Sequence, residues 1–252
     1  MSVDYDASKN LHTIEGPRAA LQWIFPDSKP QSLLDVGCGI GTWLRASLDF
    51  GVAKVIGVDG IAIEKSDLLV PGSVFQQRDL TQLLDMGRRF DVVLCLEVAE
   101  HLERNFGPIL LDSLVRHADV IVFSAACPGQ PGQHHVNCQW PSYWQKLFNK
   151  RGYVCSDDVR WRMWSDDAIE PWYRQNMMVA RKDSNSAGKE KAIESVIHPS
   201  MMSFFNGFQA EKTRIETICA ANRGDFGLKW CRETFRNAIC SRIRRLWKKL
   251  MT

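Results

Sequence analysis

The chain has 252 residues, 45% hydrophobic and 24% charged, with a formal net charge of +3. That length suits one domain plus an extension, and so small a net charge excludes polyelectrolyte binding by the chain as a whole. No apolar run reaches the roughly 20 residues of a bilayer span. The polar, acidic start from Met1 to Asn10 does not read as a signal peptide, and eight scattered cysteines without a C-x-x-C pair exclude a disulfide frame or a cysteine zinc site. A reduced, cytoplasmic protein is expected.

In chain order, the pattern predicts a helix from Gly16 to Ile24, a strand from Ser32 to Val36, a glycine-rich turn, and a helix from Leu44 to Phe50. A second strand is expected from Lys54 to Val58, a helix from Ile63 to Leu69, a third strand from Ser73 to Gln77 and a fourth from Phe90 to Leu96. A helix from Phe106 to His117 and a strand from Val120 to Ala125 follow. A Pro/Gly/Gln/His loop (Cys127 to Gln139), a helix from Pro141 to Arg151, and strands near Tyr153 to Asp157 and Gln175 to Ala180 complete the pattern. Repeated strand–helix units imply a parallel sheet with helices on both faces.

The turn is the most informative stretch. Asp35-Val36-Gly37-Cys38-Gly39-Ile40-Gly41-Thr42 joins a strand to a helix N-terminus. Glycines there let backbone N–H groups approach a ligand. A dinucleotide fingerprint asks for G-x-G-x-x-G, and Thr42 stands where its third glycine belongs. Asp59 closes the second strand, where a carboxylate can accept from two ribose hydroxyls. Asp79 and Leu80 follow the third strand. Glu97 ends the fourth, ahead of Val98-Ala99-Glu100-His101, at the carboxyl edge where ligands bind in open α/β sheets.

The D-x-G-x-G-x-G string, with Asp59, Asp79 and the Glu97–His101 run in order, resembles the class I S-adenosylmethionine-dependent methyltransferases over about residues 30 to 182. The resemblance implies a Rossmann-like, seven-stranded, mostly parallel sheet with an antiparallel end. It also implies S-adenosylmethionine as cofactor, held by Asp35, Gly37, Gly39, Gly41, Asp59, Asp79, Leu80 and Glu97. Glu97, Glu100 and His101 as metal ligands is the weaker alternative to cofactor and helix-cap roles, and no metal is expected. The segment after strand five, with His134, His135, Val136 and Asn137, is similar to methyltransferases of glycan and natural-product pathways. It offers His135, then His134, as the base that would take a proton from a hydroxyl acceptor. His12 is a further candidate.

Five of the nine tryptophans fall between Trp140 and Trp172. Trp144 reads as core, whereas Trp161 and Trp164 are candidates to line an acceptor cleft. Arg160, Arg162 and Arg174 read as a solvated basic face. Residues 183–190 read as a linker after a domain spanning 1–182, and 191–252 as a helical basic C-terminal extension, which either docks on its own domain with a solvated basic face or meets a peripheral membrane surface or a protein partner. No RNA-binding module is recognisable, so nucleic acid is not the expected partner. The function expected is O-methylation of a small molecule, sugar or glycan precursor. The alternatives are a non-catalytic binding module and a nicotinamide-dependent oxidoreductase.

Overall fold

In a computed structural model of the chain, residues 13–202 and scattered positions between 213 and 239 are described. The first compact unit runs to Phe205 and the second from Asn206. The first holds helix α1 (Glu15–Ile24), strand β1 (Ser32–Val36), α2 (Thr42–Phe50), β2 (Lys54–Asp59), β3 (Phe75–Gln77), β4 (Val92–Leu96), α3 (Gly107–His117), β5 (Val120–Ser124), α4 (Pro141–Asn149), β6 (Tyr153–Ser156), two short helices α5 (Asp158–Arg162) and α6 (Pro171–Asn176), and β7 (Met178–Lys182).

The seven strands form one sheet in the order β3-β2-β1-β4-β5-β7-β6, parallel except for β7. The chain leaves β1 toward β2 on one side and later returns to pair β4 on the other. The topological switch point, and with it the ligand crevice of an open α/β sheet, therefore lies at the carboxyl ends of β1 and β4.

Both sheet faces are buried, so the strands read as near-continuous apolar runs. Adjacent residues serve opposite layers. Leu33, Val92 and Leu94 pack with Leu21 of α1 and Leu44 and Phe50 of α2. Leu34, Val93 and Cys95 pack with Leu110, Leu111 and Leu114 of α3 and with Trp144 and Phe148 of α4.

The helix expected from Ile63 to Leu69 does not form; residues 61–71 run as turns. The Leu69 amide donates instead to the Ile40 carbonyl at 2.9 Å, which ties the segment to the glycine turn, and Pro71 follows. The last strand begins at Met178, because Pro171 starts α6 over residues assigned to that strand from sequence.

Residues 183–202 belong to the first compact unit. Glu190 Oε1 accepts from Asn149 Nδ2 (2.5 Å), Gln145 Nε2 (3.2 Å) and the Cys155 amide (3.1 Å), while Ile193 is buried in the α3–α4 layer. In the second unit the described positions are helical apart from Gly227. His12 and the basic run from Arg242 to Lys249 lie outside the described residues. No helix among the described residues is long and apolar enough to cross a membrane.

Candidate functional site

The turn after β1 is held by its neighbours rather than by its own side chains. The Gly37 and Cys38 amides both donate to the Val58 carbonyl, at 2.8 and 3.1 Å. Gly37, at φ +83°, sits so close to β4's exit that an added Cβ would fall 2.2 Å from Val98 Cγ2. An added Cβ on Gly39, at φ +51°, would meet nothing within 4 Å, so this glycine faces open space. Gly41 caps α2 in the left-handed region.

Two carboxylates flank the turn. Asp59 ends β2; its Oδ2 accepts from the Gly39 amide at 2.7 Å and its Oδ1 from the Ile61 amide at 2.9 Å. Burial pushes its carboxyl above the usual range, against those backbone bonds. Asp35 is 2% exposed, and its Oδ2 has no hydrogen-bond partner. Burial first, and the Asp59 charge second, push the Asp35 carboxyl up to about 8. The cradle therefore has an acidic, water-poor wall, whose Asp35 keeps its proton near neutrality, and an open glycine.

Glu97 leaves β4 at φ +55°, a left-handed backbone that costs a side-chain-bearing residue about 1–2 kcal/mol. Ser124 of β5 holds it there, its carbonyl and hydroxyl oxygens accepting from the Glu97 amide at 3.0 and 3.1 Å. Gln130 Nε2 donates to Glu97 Oε2 at 2.8 Å and Asn176 Nδ2 to Oε1 at 3.2 Å, and Asn176 also donates to Gln130 Oε1 at 2.9 Å. Sequence reasoning missed Ser124, Gln130 and Asn176. Gln130 lay in a loop already marked as polar, but Asn176 gave no local signal.

Asp79 is exposed, and its Oδ1 accepts from the Thr81 amide and hydroxyl, which lower its carboxyl below the usual range. Leu80 is buried in the α3–α4 layer.

The two loop histidines part company. His134 is exposed at φ +49°. His135 turns inward, its ring 5.1 Å from that of His101 in an edge-to-face arrangement. Its Nδ1 lies 3.0 Å from the Gln130 carbonyl, an acceptor that assigns the proton to Nδ1 and leaves Nε2 basic. Burial lowers the His135 value below that of an ordinary imidazole. His101 is lowered to about 4 by burial and then by His135. Glu100 is fully buried, and burial followed by the neighbouring Glu97 charge raises its carboxyl well above the ordinary range.

The aromatic cluster divides as well. Trp144 packs in the core against Phe123, at 5.3 Å. Trp161 and Trp164 stack on each other at 4.8 Å, with Trp161 46% exposed. Arg160 and Arg174 are buried, contrary to a solvated basic face. Arg160 donates to the Gln175 carbonyl and pairs with Asp157, and Arg174 donates to Asp167 Oδ1 at 2.8 Å. Only Arg162 of the three is exposed.

A family model described as "Methyltransferase domain" matches residues 10–172. No curated protein matches the chain. Among solved structures, the methyltransferase domain of bacterial CtHen1 is similar at 17% identity and a TM-score of 0.51, covering 68% of this chain and 100% of that one. The sugar N-methyltransferase KedS8 from Streptoalloteichus sp. is similar at 16% identity and a TM-score of 0.50, covering 70% and 89%. Haemonchus contortus phosphoethanolamine N-methyltransferase 1, in complex with phosphoethanolamine and S-adenosylhomocysteine, is similar at 15% identity and 0.51, covering 80% and 48%. At these identities the likeness establishes the fold.

Proposed function

Because the chain belongs to the methyltransferase domain family of class I S-adenosylmethionine-dependent enzymes, we propose that it transfers a methyl group from S-adenosylmethionine to a hydroxyl oxygen of a small molecule, sugar or glycan precursor. The observation that carries the donor assignment is the unpartnered, buried Asp35 Oδ2 beside an open Gly39. A buried carboxyl without a partner suits a ligand bearing ammonium and sulfonium charges. The pyrophosphate of a nicotinamide dinucleotide would instead meet two acidic side chains, Asp35 and Asp59.

The residues fit the donor. Asp59 spends one lone pair of each oxygen on a backbone amide and keeps the others for ribose hydroxyls. Asp79 Oδ1 is engaged by Thr81, so the second oxygen is the one that remains for a base amine. Leu80 offers its backbone, since its side chain is core. Glu97 is oriented by Gln130 and Asn176, and Gly37, Gly39 and Gly41 give the turn its close approach. The donor, when bound, supplies an electrophilic methyl on cationic sulfur.

His135 supports an oxygen acceptor. A hydroxyl is a poor nucleophile near neutrality, and a neutral imidazole with Nε2 unprotonated is suited to receive its proton. His134, exposed and outside the cluster, is the second choice. The test is incubation with methyl-labelled S-adenosylmethionine and a host extract, fractionated afterwards. Label in the small-molecule or glycan fraction above a heat-killed control supports the reading; label in protein or nucleic acid contradicts it.

A further inference from the structure

We propose that Glu100, His101 and His135 form a binding site for a divalent first-row transition metal ion. One ligand atom from each lies within 4.8 Å of the others, close enough for a single ion to bridge them with small side-chain adjustments. The residues come from two segments, the exit of β4 and the loop after β5, so the cluster is tertiary and not a by-product of helical spacing.

A second, independent observation points to a ligand. Glu100 is fully buried with no hydrogen bond of ordinary length to either carboxyl oxygen, and the like charge of Glu97 lies beside it. A buried carboxyl normally finds donors. No lysine or arginine among the described residues pairs with Glu100 or its neighbour Glu97. A cation would satisfy it.

The surroundings orient the set as a metal site requires. His135 Nδ1 is committed to the Gln130 carbonyl, the outer-shell arrangement that fixes a ligating imidazole and turns its other nitrogen to the ion. A Cβ on Gly132 would fall 2.1 Å from His135 Nε2, so glycine there makes room for the ring. The Val136 and Asn137 amides both donate to the Glu100 carbonyl, at 2.9 and 3.0 Å, locking the His135 loop to the segment that carries the other two ligands.

Ligand chemistry selects the ion. Two imidazoles and one carboxylate suit Zn²⁺, Co²⁺, Fe²⁺ or Mn²⁺ over Mg²⁺ or Ca²⁺, which prefer all-oxygen shells. Three protein ligands leave coordination positions open, and an acceptor oxygen is the group an open position would take. An ion held there would occupy His135 Nε2 and would itself lower the acceptor hydroxyl's pKa, its proton passing to solvent, so the base role of His135 belongs to the metal-free protein.

The experiment is a Co²⁺ titration of the untagged full chain, read by visible absorption, with Zn²⁺ and Mg²⁺ as competitors and S-adenosylmethionine binding measured on the same samples. The expected result is a saturable Co²⁺ spectrum that Zn²⁺ abolishes and comparable Mg²⁺ does not. Glu100→Gln and His135→Gln should each weaken binding by at least about tenfold. His134→Asn, which keeps a residue tolerant of the left-handed backbone, should leave metal binding unchanged. If Glu100→Gln unfolds the chain, His135→Gln, on a loop, carries the test. No saturable spectrum, or equal binding by wild type and His135→Gln, overturns the site. Loss of donor binding with Co²⁺ binding intact would overturn the methyl-transfer reading alone, and the reverse result would overturn the metal site alone.

Discussion

The Gly39 amide donates to Asp59 Oδ2 at 2.7 Å, which fastens the turn after β1 to the carboxyl end of β2. One carboxylate thus sets the turn and presents its remaining lone pairs to the crevice. Replacing Asp59 by Ala removes a charged hydrogen bond from both tasks. Donor affinity should fall by about 1.5–3 kcal/mol, read by calorimetric titration. Unchanged affinity would remove Asp59 from the donor site.

Gly37 and Gly39 make a paired test of turn geometry. Both have positive φ, so alanine at either costs about 1–2 kcal/mol of backbone strain. At Gly37 the new Cβ also strikes Val98, 2.2 Å away, so Gly37→Ala should lower the thermal midpoint more, with part of the loss restored by Val98→Ala. At Gly39 the Cβ enters open space, so Gly39→Ala should fold and lose donor affinity. Equal midpoints for Gly37→Ala and Gly39→Ala would contradict the packing.

Asp35 predicts an inverted pH dependence. Its folded value, about 8, lies above the ordinary 3.8, so the native state holds the extra proton between these values. Its contribution to stability is full below 3.8 and is lost as pH rises through about 8, by up to about 1.4 kcal/mol per unit. Asp35→Asn cannot ionise, so it should gain on the wild type as pH rises across that window in urea unfolding. A constant difference between the two would show that Asp35 does not titrate there. Binding of a cationic donor at neutral pH should also release a proton, seen as a buffer-dependent calorimetric enthalpy.

Much of this architecture was legible. Strands β1, β2, β4 and β5 announced themselves because a sheet buried on both faces yields unbroken apolar runs, and the glycine turn because its conformations exclude other residues. The crossing from Ile61 to Pro71 misled because its apolar residues mimic helical spacing while Leu69 gives its amide to Ile40. The Glu97 bracket was invisible because Gln130 and Asn176 lie 33 and 79 residues away in sequence. Glu190 hid in a run of small polar residues whose composition reads as linker, although its carboxylate gathers four donors.

Glu190 supplies a stability test away from the crevice. Burial alone would raise its carboxyl, but bonds from Asn149, Cys155 and Gln145 outweigh it and bring the value to about 2. A depressed value means the contribution is present above the ordinary 4.5 and is lost as pH falls toward 2. Glu190→Ala should cost about 1–3 kcal/mol at neutral pH, read by chemical unfolding, and progressively less in acid. A cost that did not shrink below pH 4.5 would assign the effect to packing instead.

His135 carries the kinetic prediction. His135→Gln should lower kcat by about 10²–10⁴-fold while leaving donor affinity intact, and His134→Asn should change kcat little. Because burial lowers the His135 value, the acidic limb of kcat, measured on the metal-free protein with a chelator present, should fall below the ordinary imidazole value of 6.5. A limb above that value would point to another group.

The most direct measurement is equilibrium titration of the full chain with S-adenosylmethionine, with NADH titrated in parallel. The account predicts saturable S-adenosylmethionine binding that weakens in Asp59→Ala and Gly39→Ala, with no comparable NADH binding. Saturable NADH binding without S-adenosylmethionine binding, or S-adenosylmethionine binding indifferent to both substitutions, would contradict it.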